Sequence, residues 1–434
     1  MSFEKTIPLN EFITLQRGFD LPKDDRLEGS VPVIASTGIG GYHNEAKVQA
    51  PGVVIGRSGS IGGGQYITEN FWPLNTTLWV KDFKGHHQRY VYYLLKSIDF
   101  QQFNVGSGVP TLNRNHLGSV LVADIGYDNE KRIAEIIGEV DDKIQLNRQI
   151  NQTLKEMTQA IFKSWFVDFE PVKAKIEVKA NGQDPERAAM CAISGKTDDE
   201  LDQLPPDQLA QLRATAALFP DELTDSELGP VPQGWSIVRF KEIIKKYIDN
   251  RGKTPPTTET GIPLLEVKHL PDKELRPNLN TAKYVTQETY DSWFRAHLEE
   301  DDIIISTVGT IGRICLVPKN EKFAIAQNLL GMRFDRKRAL PYFMYYQMDS
   351  FRFRHDVDAR LVVTVQSSIK RKDLETIDLL SPTMDLQLEF EKFVKPFVRK
   401  QQVIETEDLR SIRDSLLPKL LSGEIDLPGN TPSE

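Results

Sequence analysis

Four short motifs contain residue types used in phosphate, metal or methyl-transfer chemistry. Each of them lacks a residue that the corresponding functional site requires. Gly195–Thr197 matches the end of a phosphate-binding loop, but Met190 stands where the loop needs its first glycine. Glu177–Lys179 and Glu266–Lys268 have the Glu-x-Lys spacing of a nuclease metal site, but neither follows a well-placed Asp. Thr254–Thr257 lacks both end residues of the Asp/Asn-Pro-Pro-aromatic motif of adenine methyltransferases. The sequence therefore predicts neither a catalytic residue nor a metal site.

Basic and polar residues cluster in both halves of the chain, and these residue types bind nucleic acid. Lys and Arg neutralise phosphates, whereas Arg, Asn, Gln, Ser and Thr hydrogen-bond to base edges in the major groove. A solvated surface has a similar composition, so no single cluster decides the matter. The candidates for DNA contact are Arg57, Ser58, Ser60, Asn113, Arg114 and Asn115 in the first half, and Thr307, Thr310, Arg313, Arg352, Arg354, Gln366, Ser367, Lys370 and Arg371 in the second.

The formal net charge of −8 looks unfavourable for a nucleic-acid binder, but it is concentrated in one stretch. Residues 181–229 contain eleven acids and three bases, which account for the whole net charge. The remainder is neutral and can still present basic faces. Two cysteines, Cys191 and Cys315, cannot form a disulfide framework, and no apolar run is long enough to cross a bilayer. We therefore expect a soluble, cytoplasmic protein.

The elements that would position the polar clusters occur twice. The turn Gly56–Gly62 follows a short β-branched run and reappears as Ser306–Gly312 after a similar run. The stretch Thr111–Val122 likewise has a counterpart in Gln366–Leu380. The repeat covers about residues 7–166 and 237–422, and it predicts two similar β-rich modules.

Each half then ends in a long helical pattern. Apolar residues recur at three- and four-residue steps over 129–169 and again over 384–422, which is typical of a coiled-coil-like seam. The acidic stretch between the halves is interpreted as a solvated tether with a short helix at 208–218. The predicted helix boundaries are an N-cap at Asp128, an N-cap at Ser381 followed by Pro382, a kink or break at Pro396, and a C-terminal stop at Gly423.

Five segments of the helices and the central linker carry a specific resemblance: Glu130–Ile137, Asp141–Ile144, Ile161–Pro171, Leu228–Trp235 and Leu416–Leu427. In these segments the chain resembles the specificity subunit of a type I restriction-modification complex. The chain departs from the family in lacking a Gly-Trp pair before its first module, where Ile7-Pro8-Leu9 stands.

The resemblance implies a non-catalytic subunit that reads a bipartite, asymmetric DNA site. It implies docking of two modification subunits, which are adenine methyltransferases, and of restriction/translocase subunits. No cofactor is expected in this chain, while S-adenosylmethionine, ATP and Mg are expected on the partner subunits. The residues assigned to partner binding are Ile133, Ile137, Trp165, Phe166, Leu416 and Leu420.

We expect an α+β fold with a pseudo-twofold internal repeat and two antiparallel helices that set the distance between the DNA-reading modules. Two alternatives remain at this point: a nuclease with its own metal site at Glu266 and Lys268, and a coiled-coil scaffold without DNA affinity. The expected segments are recognition domain 1 (1–128), first spacer helix (129–169), acidic linker (170–230), recognition domain 2 (231–383), second spacer helix (384–422) and tail (423–434).

Overall fold

The computed structural model describes residues 5–106, 108–250, 252–272, 274–362, 367–403 and 405–425. The chain divides into two compact units. Unit 1 comprises Met1–Gln149 and Ile404–Glu434, and unit 2 comprises Ile150–Val403. Both units combine sheets with helices, which confirms the α+β class.

Unit 1 begins with small antiparallel sheets built from short strands. Its strand β5 is fully buried because Val53, Val54 and Ile55 have large apolar side chains on both faces. The strands are β1 (Thr6–Pro8), β2 (Thr14–Arg17), β3 (Val31–Ala35), β4 (Gly38–His43), β5 (Gly52–Gly56), β6 (Gly62–Ile67), β7 (Trp72–Pro73), β8 (Thr77–Asp82) and β9 (Leu121–Ala123), and the helices are α1 (Leu9–Phe12), α2 (Gln88–Ser97), α3 (Arg114–Leu117) and α4 (Tyr127–Phe166).

The sheets of unit 1 have the orders β2-β8-β5-β6, β4-β3-β7 and β1-β9. All pairings are antiparallel except that of β3 with β7, which is parallel. Helix α2 packs its Tyr90, Val91 and Leu95 into the core that β5 and β8 share with α1.

Unit 2 contains the central helical segment and then a second set of strands. The helices are α5 (Glu170–Ala180), α6 (Pro185–Ser194), α7 (Asp198–Leu201), α8 (Pro206–Ala217), α9 (Phe240–Ile243), α10 (Gln287–Trp293), α11 (Pro341–Asp349), α12 (Phe351–Asp358), α13 (Arg371–Leu374) and α14 (Met384–Gln401), and the strands are β10 (Leu223–Thr224), β11 (Val231–Pro232), β12 (Ser236–Arg239), β13 (Ile244–Ile248), β14 (Ile262–Leu265), β15 (Tyr284–Val285), β16 (Ile303–Ser306), β17 (Ile314–Leu316), β18 (Ala324–Ile325), β19 (Leu329–Phe334) and β20 (Asp378–Ser381).

The strand order of unit 2 repeats that of unit 1. The sheets β13-β19-β16-β17, β15-β14-β18 and β12-β20 correspond to the three sheets of unit 1, and β14 again pairs in parallel with β18. The turn Gly56–Gly62 joins β5 to β6, and its counterpart Ser306–Gly312 joins β16 to β17. The predicted duplication is therefore confirmed in the topology.

The acidic segment differs from the predicted tether, because it folds into the four helices α5 to α8. Asp184 caps α6 by accepting hydrogen bonds from the backbone N–H groups of Glu186 and Arg187. Ala189, Met190, Leu201 and Ala216 form a small buried core. The predicted short helix is α8, and the acids of this segment lie on the outside of a folded substructure.

The two helical regions differ in continuity. Helix α4 runs unbroken and begins before Asp128, which lies in its first turn and is not its cap. The second region consists of α14 and α15 (Glu405–Leu421). The side chain of Thr383, and not Ser381, caps α14, and α14 continues through Pro396 before it ends at Gln401. Of the kink or break expected at Pro396, the break does not occur.

Within unit 1, α15 runs antiparallel to the first part of α4. Arg413 Nη1 lies 2.7 Å from Asp141 Oδ1, and Asn147 Nδ2 donates to Glu405 Oε2 at 3.1 Å. Gly423 follows α15 with a φ of 71°, a value that suits glycine at the end of a helix. No helix in the described ranges is long and apolar enough to span a membrane.

Candidate nucleic-acid interface

The glycine turns adopt the same backbone conformation in both units. Gly59 and Gly62 have φ values of 82° and 77°, and Gly309 and Gly312 have 81° and 80°. These left-handed angles favour glycine, because a Cβ atom would clash with the backbone. The sequence pattern therefore encodes a specific turn shape at two equivalent places.

Each turn is held to a later segment by a matching pair of backbone hydrogen bonds. The N–H of Gly59 donates to the carbonyl of Pro110 at 2.9 Å, and the N–H of Leu112 donates to the carbonyl of Arg57 at 2.8 Å. In unit 2 the pair is Gly309 N–H to Ser367 O (3.2 Å) and Ile369 N–H to Thr307 O (2.9 Å). We call residues 57–62 with 110–115 junction 1, and residues 307–312 with 367–372 junction 2.

The two junctions bring together most of the residues singled out from the sequence. Junction 1 contains all six candidates of the first half. Junction 2 contains Thr307, Thr310, Ser367, Lys370 and Arg371, which are dispersed along the chain. Gln366 lies outside the described residues.

An arginine occupies the same position in each junction. Arg114 and Arg371 are the first residues of α3 and α13, and each follows by two positions the residue that bonds back to the turn. Their neighbours differ, since Asn113 and Asn115 flank Arg114, whereas two lysines flank Arg371. The junctions therefore share a frame and differ in chemistry.

Some candidates are exposed, and others have structural partners within the chain. Arg57 Nη1 donates to the Asn75 carbonyl at 3.3 Å, Thr307 Oγ1 donates to the Asn328 carbonyl at 3.1 Å, and Arg313 Nη1 donates to the Leu270 carbonyl at 3.1 Å. These half-buried side chains shape the turns. The exposed candidates are Ser60, Asn113, Arg114, Asn115, Thr310, Arg352, Lys370 and Arg371.

Arg354 has a structural role that the sequence did not indicate. Its guanidinium pairs with Asp349, and the same carboxylate accepts a hydrogen bond from Gln159 Nε2 of α4 at 2.6 Å. Arg354 therefore helps to link α12 to α11 and α4, and its side chain is half-buried.

The structure corrects the assignment of six helix residues to partner binding. Ile133, Ile137 and Leu420 are buried in the core of unit 1, and Trp165 and Phe166 are buried in the core of unit 2. Their apolar spacing correctly indicated a packed helix face, but that face is covered by this chain's own residues. Leu416 is half-buried and packs against the same core of unit 1.

The acidic and histidine groups show mainly structural pairing. Glu266 Oε1 lies 2.6 Å from Lys283 Nζ. The ammonium groups of Lys283 and Lys268 hold the pKa of Glu266 below its ordinary value. Within the described part of the chain, one group of metal-ligating residue types comes together, formed by His86, Asp124 and Glu130. Both oxygens of Glu130 already meet His86 and His87, and Asp124 pairs with Lys5, so this group forms an internal network.

Comparisons with known proteins identify the family to which this chain belongs. A family model for the type I restriction modification DNA specificity domain matches residues 3–156. The HindI type I restriction enzyme specificity subunit of Haemophilus influenzae is 30% identical over 325 residues, which cover 69% of this chain and 67% of that protein. The chain belongs to the family of type I restriction enzyme specificity subunits. The MjaIX specificity subunit of Methanocaldococcus jannaschii is 24% identical over 358 residues, covering 79% of this chain and 70% of its own length.

A solved specificity subunit has the same fold. The crystal structure of the S subunit from the M. genitalium type I restriction-modification system aligns with a TM-score of 0.57 at 15% identity, covering 96% of this chain and 95% of that one. As a specificity subunit, the chain supplies DNA sequence recognition and is non-catalytic. The comparisons support neither the nuclease nor the scaffold alternative.

The side chains that surround Arg371 are functional candidates that sequence reasoning missed. Lys372 is exposed beside it, the ring of Tyr247 lies beneath its guanidinium, and Glu375 pairs with it. Lys372 belongs to a basic run that the sequence did show. Tyr247 is far away in the chain, and only the fold brings it to this site.

Proposed function

We propose that junctions 1 and 2 contact the two halves of a bipartite, asymmetric DNA site. The observation that carries this proposal is the repeated junction, with exposed arginines Arg114 and Arg371 at equivalent positions and different polar neighbours around them. Arginine is the residue type best suited to bidentate contact with guanine, and asparagine suits adenine. Two modules with one frame and different contact chemistry read two different sequences.

The segments 1–128 and 231–383 act as the recognition domains in this proposal, joined by the helical regions 129–169 and 384–422. The helical substructure 170–230 connects them, and 423–434 is the tail. Arg114 and Asn115 also border a surface groove of about 440 Å³ beside β2, which gives junction 1 room for a nucleotide edge. The exposed contact candidates within the two junctions are Ser60, Asn113, Arg114, Asn115, Thr310, Lys370 and Arg371, and Arg352 is an exposed candidate outside them.

Two modification subunits dock on the outward faces of the helical regions, and restriction/translocase subunits join the assembly through them. Exposed apolar side chains remain on these helices, namely Leu146 and Ile412 in unit 1 and Leu388 and Phe393 in unit 2. Each is more than two-fifths exposed, so these side chains are available as apolar contacts for the partner subunits. The complex works in the cytoplasm, where S-adenosylmethionine, ATP and Mg are available to the partners.

A domain exchange tests the proposal. Residues 231–383 are replaced by the corresponding domain of another specificity subunit, and the hybrid is expressed with the modification subunit. Methylome sequencing should show one half-site changed and the other retained. A change in both half-sites, or in neither, would show that the modules do not read DNA independently.

A further inference from the structure

Arg371 is held in one place by two side chains of unit 2. Its guanidinium carbon lies 5.0 Å from the centre of the Tyr247 ring, and its Nε lies 3.3 Å from Glu375 Oε1. Tyr247 comes from β13 and Glu375 from the end of α13, so the fold itself brings the three together. About half of the Arg371 side chain remains exposed.

Neither of these two contacts uses the Nη1–Nη2 edge of the Arg371 guanidinium. Glu375 meets Nε, and the ring of Tyr247 covers a face, so these contacts leave the Nη1–Nη2 edge for an external acceptor pair. A bidentate contact with guanine O6 and N7 uses two such N–H groups in a fixed plane. An arginine that is already oriented loses less conformational freedom when it makes this contact.

The Glu375 carboxylate has a second effect, since it opposes phosphate binding. A negative charge beside Arg371 reduces the attraction of this side chain to the DNA backbone, which is sequence-independent. Burial raises the pKa of Tyr247, and the nearby Glu375 carboxylate raises it further, so the ring stays neutral beneath the cation. The group therefore favours oriented hydrogen bonding over general attraction.

Junction 1 lacks both supporting side chains. The residue that corresponds to Glu375 is Gly118, four positions after Arg114, and the strand position that corresponds to Tyr247 is Leu15. Leucine offers no π face to the guanidinium, and glycine offers no carboxylate. The two equivalent arginines thus differ in how tightly the protein orients them.

We propose that Glu375 and Tyr247 are positioning residues that make Arg371 a base-reading side chain rather than a phosphate-binding one. The inference rests on the proposed function, because it presumes that junction 2 contacts DNA. It adds that the second half-site owes part of its discrimination to residues that do not touch DNA themselves.

The experiment compares binding of the full chain, assembled with its modification subunit, to two duplexes. One carries the site found by methylome sequencing, and the other has the second half-site scrambled. The ratio of the two Kd values measures discrimination at that half-site. The variants are Arg371→Ala, Glu375→Ala, Glu375→Gln, Tyr247→Leu and the double variant Arg371→Ala/Glu375→Ala, with Glu288→Ala as a matched loss of one exposed acid elsewhere in unit 2.

Glu375→Ala should reduce the ratio about fivefold, because the Arg371 side chain would no longer be held in one orientation. The same change should tighten binding to the scrambled duplex, because it removes a negative charge. Glu375→Gln and Tyr247→Leu should shift the ratio in the same direction, so the result does not depend on one variant folding. In the Arg371→Ala background the Glu375→Ala change should have no further effect on the ratio, and Glu288→Ala should leave it unchanged.

Two contrary results have different meanings. If Arg371→Ala leaves the ratio unchanged, Arg371 does not read the second half-site, and the contact assigned to junction 2 is wrong. If Arg371→Ala reduces the ratio but the Glu375 and Tyr247 variants do not, Arg371 reads DNA without their help. In that case the positioning role is overturned while the proposed function stands.

Discussion

Glu130 and His86 form a buried pair that joins the start of α4 to the loop before α2. His86 Nδ1 lies 2.6 Å from Glu130 Oε1, and the other carboxylate oxygen accepts the backbone N–H of His87 at 2.8 Å. Glu130 is fully buried, and the His86 ring stacks on Phe12 at 3.5 Å between ring centres. A single carboxylate thus links the start of α4 to the core of unit 1.

Glu130→Ala should destabilise the protein strongly, because it leaves the partly buried His86 ring and His87 N–H without their carboxylate partner. We expect a loss of about 2–4 kcal/mol in the free energy of unfolding of the unit that contains it. Chemical denaturation monitored by circular dichroism measures this change. Glu139→Ala, an exposed position on the same helix, should change stability by less than about 0.5 kcal/mol. Equal effects of the two variants would mean that the buried pair contributes nothing specific.

The equivalent arginines should act on different half-sites. Arg114→Ala should relax discrimination only at the first half-site and Arg371→Ala only at the second, each by about 1–3 kcal/mol if the contact is to a base. An arginine that binds phosphate would instead weaken all binding and lower the salt slope by about one unit. Equilibrium binding at several salt concentrations distinguishes these two outcomes. A variant that changes neither quantity removes that arginine from the interface.

The spacer between the half-sites should follow the length of the helical regions. Asn147 is buried and bonds to Glu405, so an insertion at that point would break packing. A better place is between Gln149 and Ile150, where α4 passes from one unit to the other, with a matching insertion after Val403. Four residues add about 6 Å of helix.

Since DNA rises about 3.4 Å per base pair, the recognised site should keep both half-sites and gain one or two unread base pairs. Methylome sequencing of cells with the lengthened subunit gives the answer. The control is an insertion of four residues in the exposed turn at Gly182, which leaves α4 unchanged and should leave the site unchanged. An active lengthened variant with the original spacer would contradict the idea that the helices set the distance.

Glu391 should make stability depend on pH. It is mostly buried on α14, and burial raises its pKa above the ordinary value of 4.5, although Arg336 and Arg399 oppose the shift. Because the folded pKa is raised, the folded protein loses stability as pH rises from 4.5 through that value. Glu391→Gln should therefore have a higher Tm than the parent at pH 8.

The advantage of Glu391→Gln should shrink as pH falls and disappear below pH 4.5, where the parent carboxyl is protonated in both states. Thermal unfolding across this range measures the effect, with Glu389→Gln as a less buried control on the same helix. A constant difference between parent and variant at all pH values would show that the charge is not responsible.

The sequence determined the parts of this protein that local chemistry controls. Paired glycine turns require left-handed backbone angles, so Gly59 and Gly309 indicated the same turn in both halves. Apolar periodicity identified the packed faces of α4, α14 and α15 for the same kind of local reason. The segments that resemble specificity subunits lie in these helices and in the central linker, which is why the family could be recognised before the fold was known.

Composition alone gave a wrong prediction for a segment whose structure depends on packing. The acids of 170–230 suggested a tether, but Ala189, Met190, Leu201 and Ala216 are spaced so that short helices bury them together. Trp165 was assigned to partner binding through the family resemblance, whereas an apolar pattern shows only that a helix face is covered and does not show by what.

Only the tertiary structure decided which of the candidate polar side chains are exposed. Arg354 and Arg371 have the same charge and lie in the same basic cluster of the sequence. Arg354 pairs with Asp349, which also accepts a hydrogen bond from Gln159, whereas Arg371 lies over Tyr247, pairs with Glu375 and remains about half exposed. These partners come from other helices and strands, and the energy of a charged side chain depends on which groups surround it in space. The sequence therefore determined a duplicated DNA-recognition protein, and the folded arrangement decided which arginines are half-buried in the fold and which remain exposed.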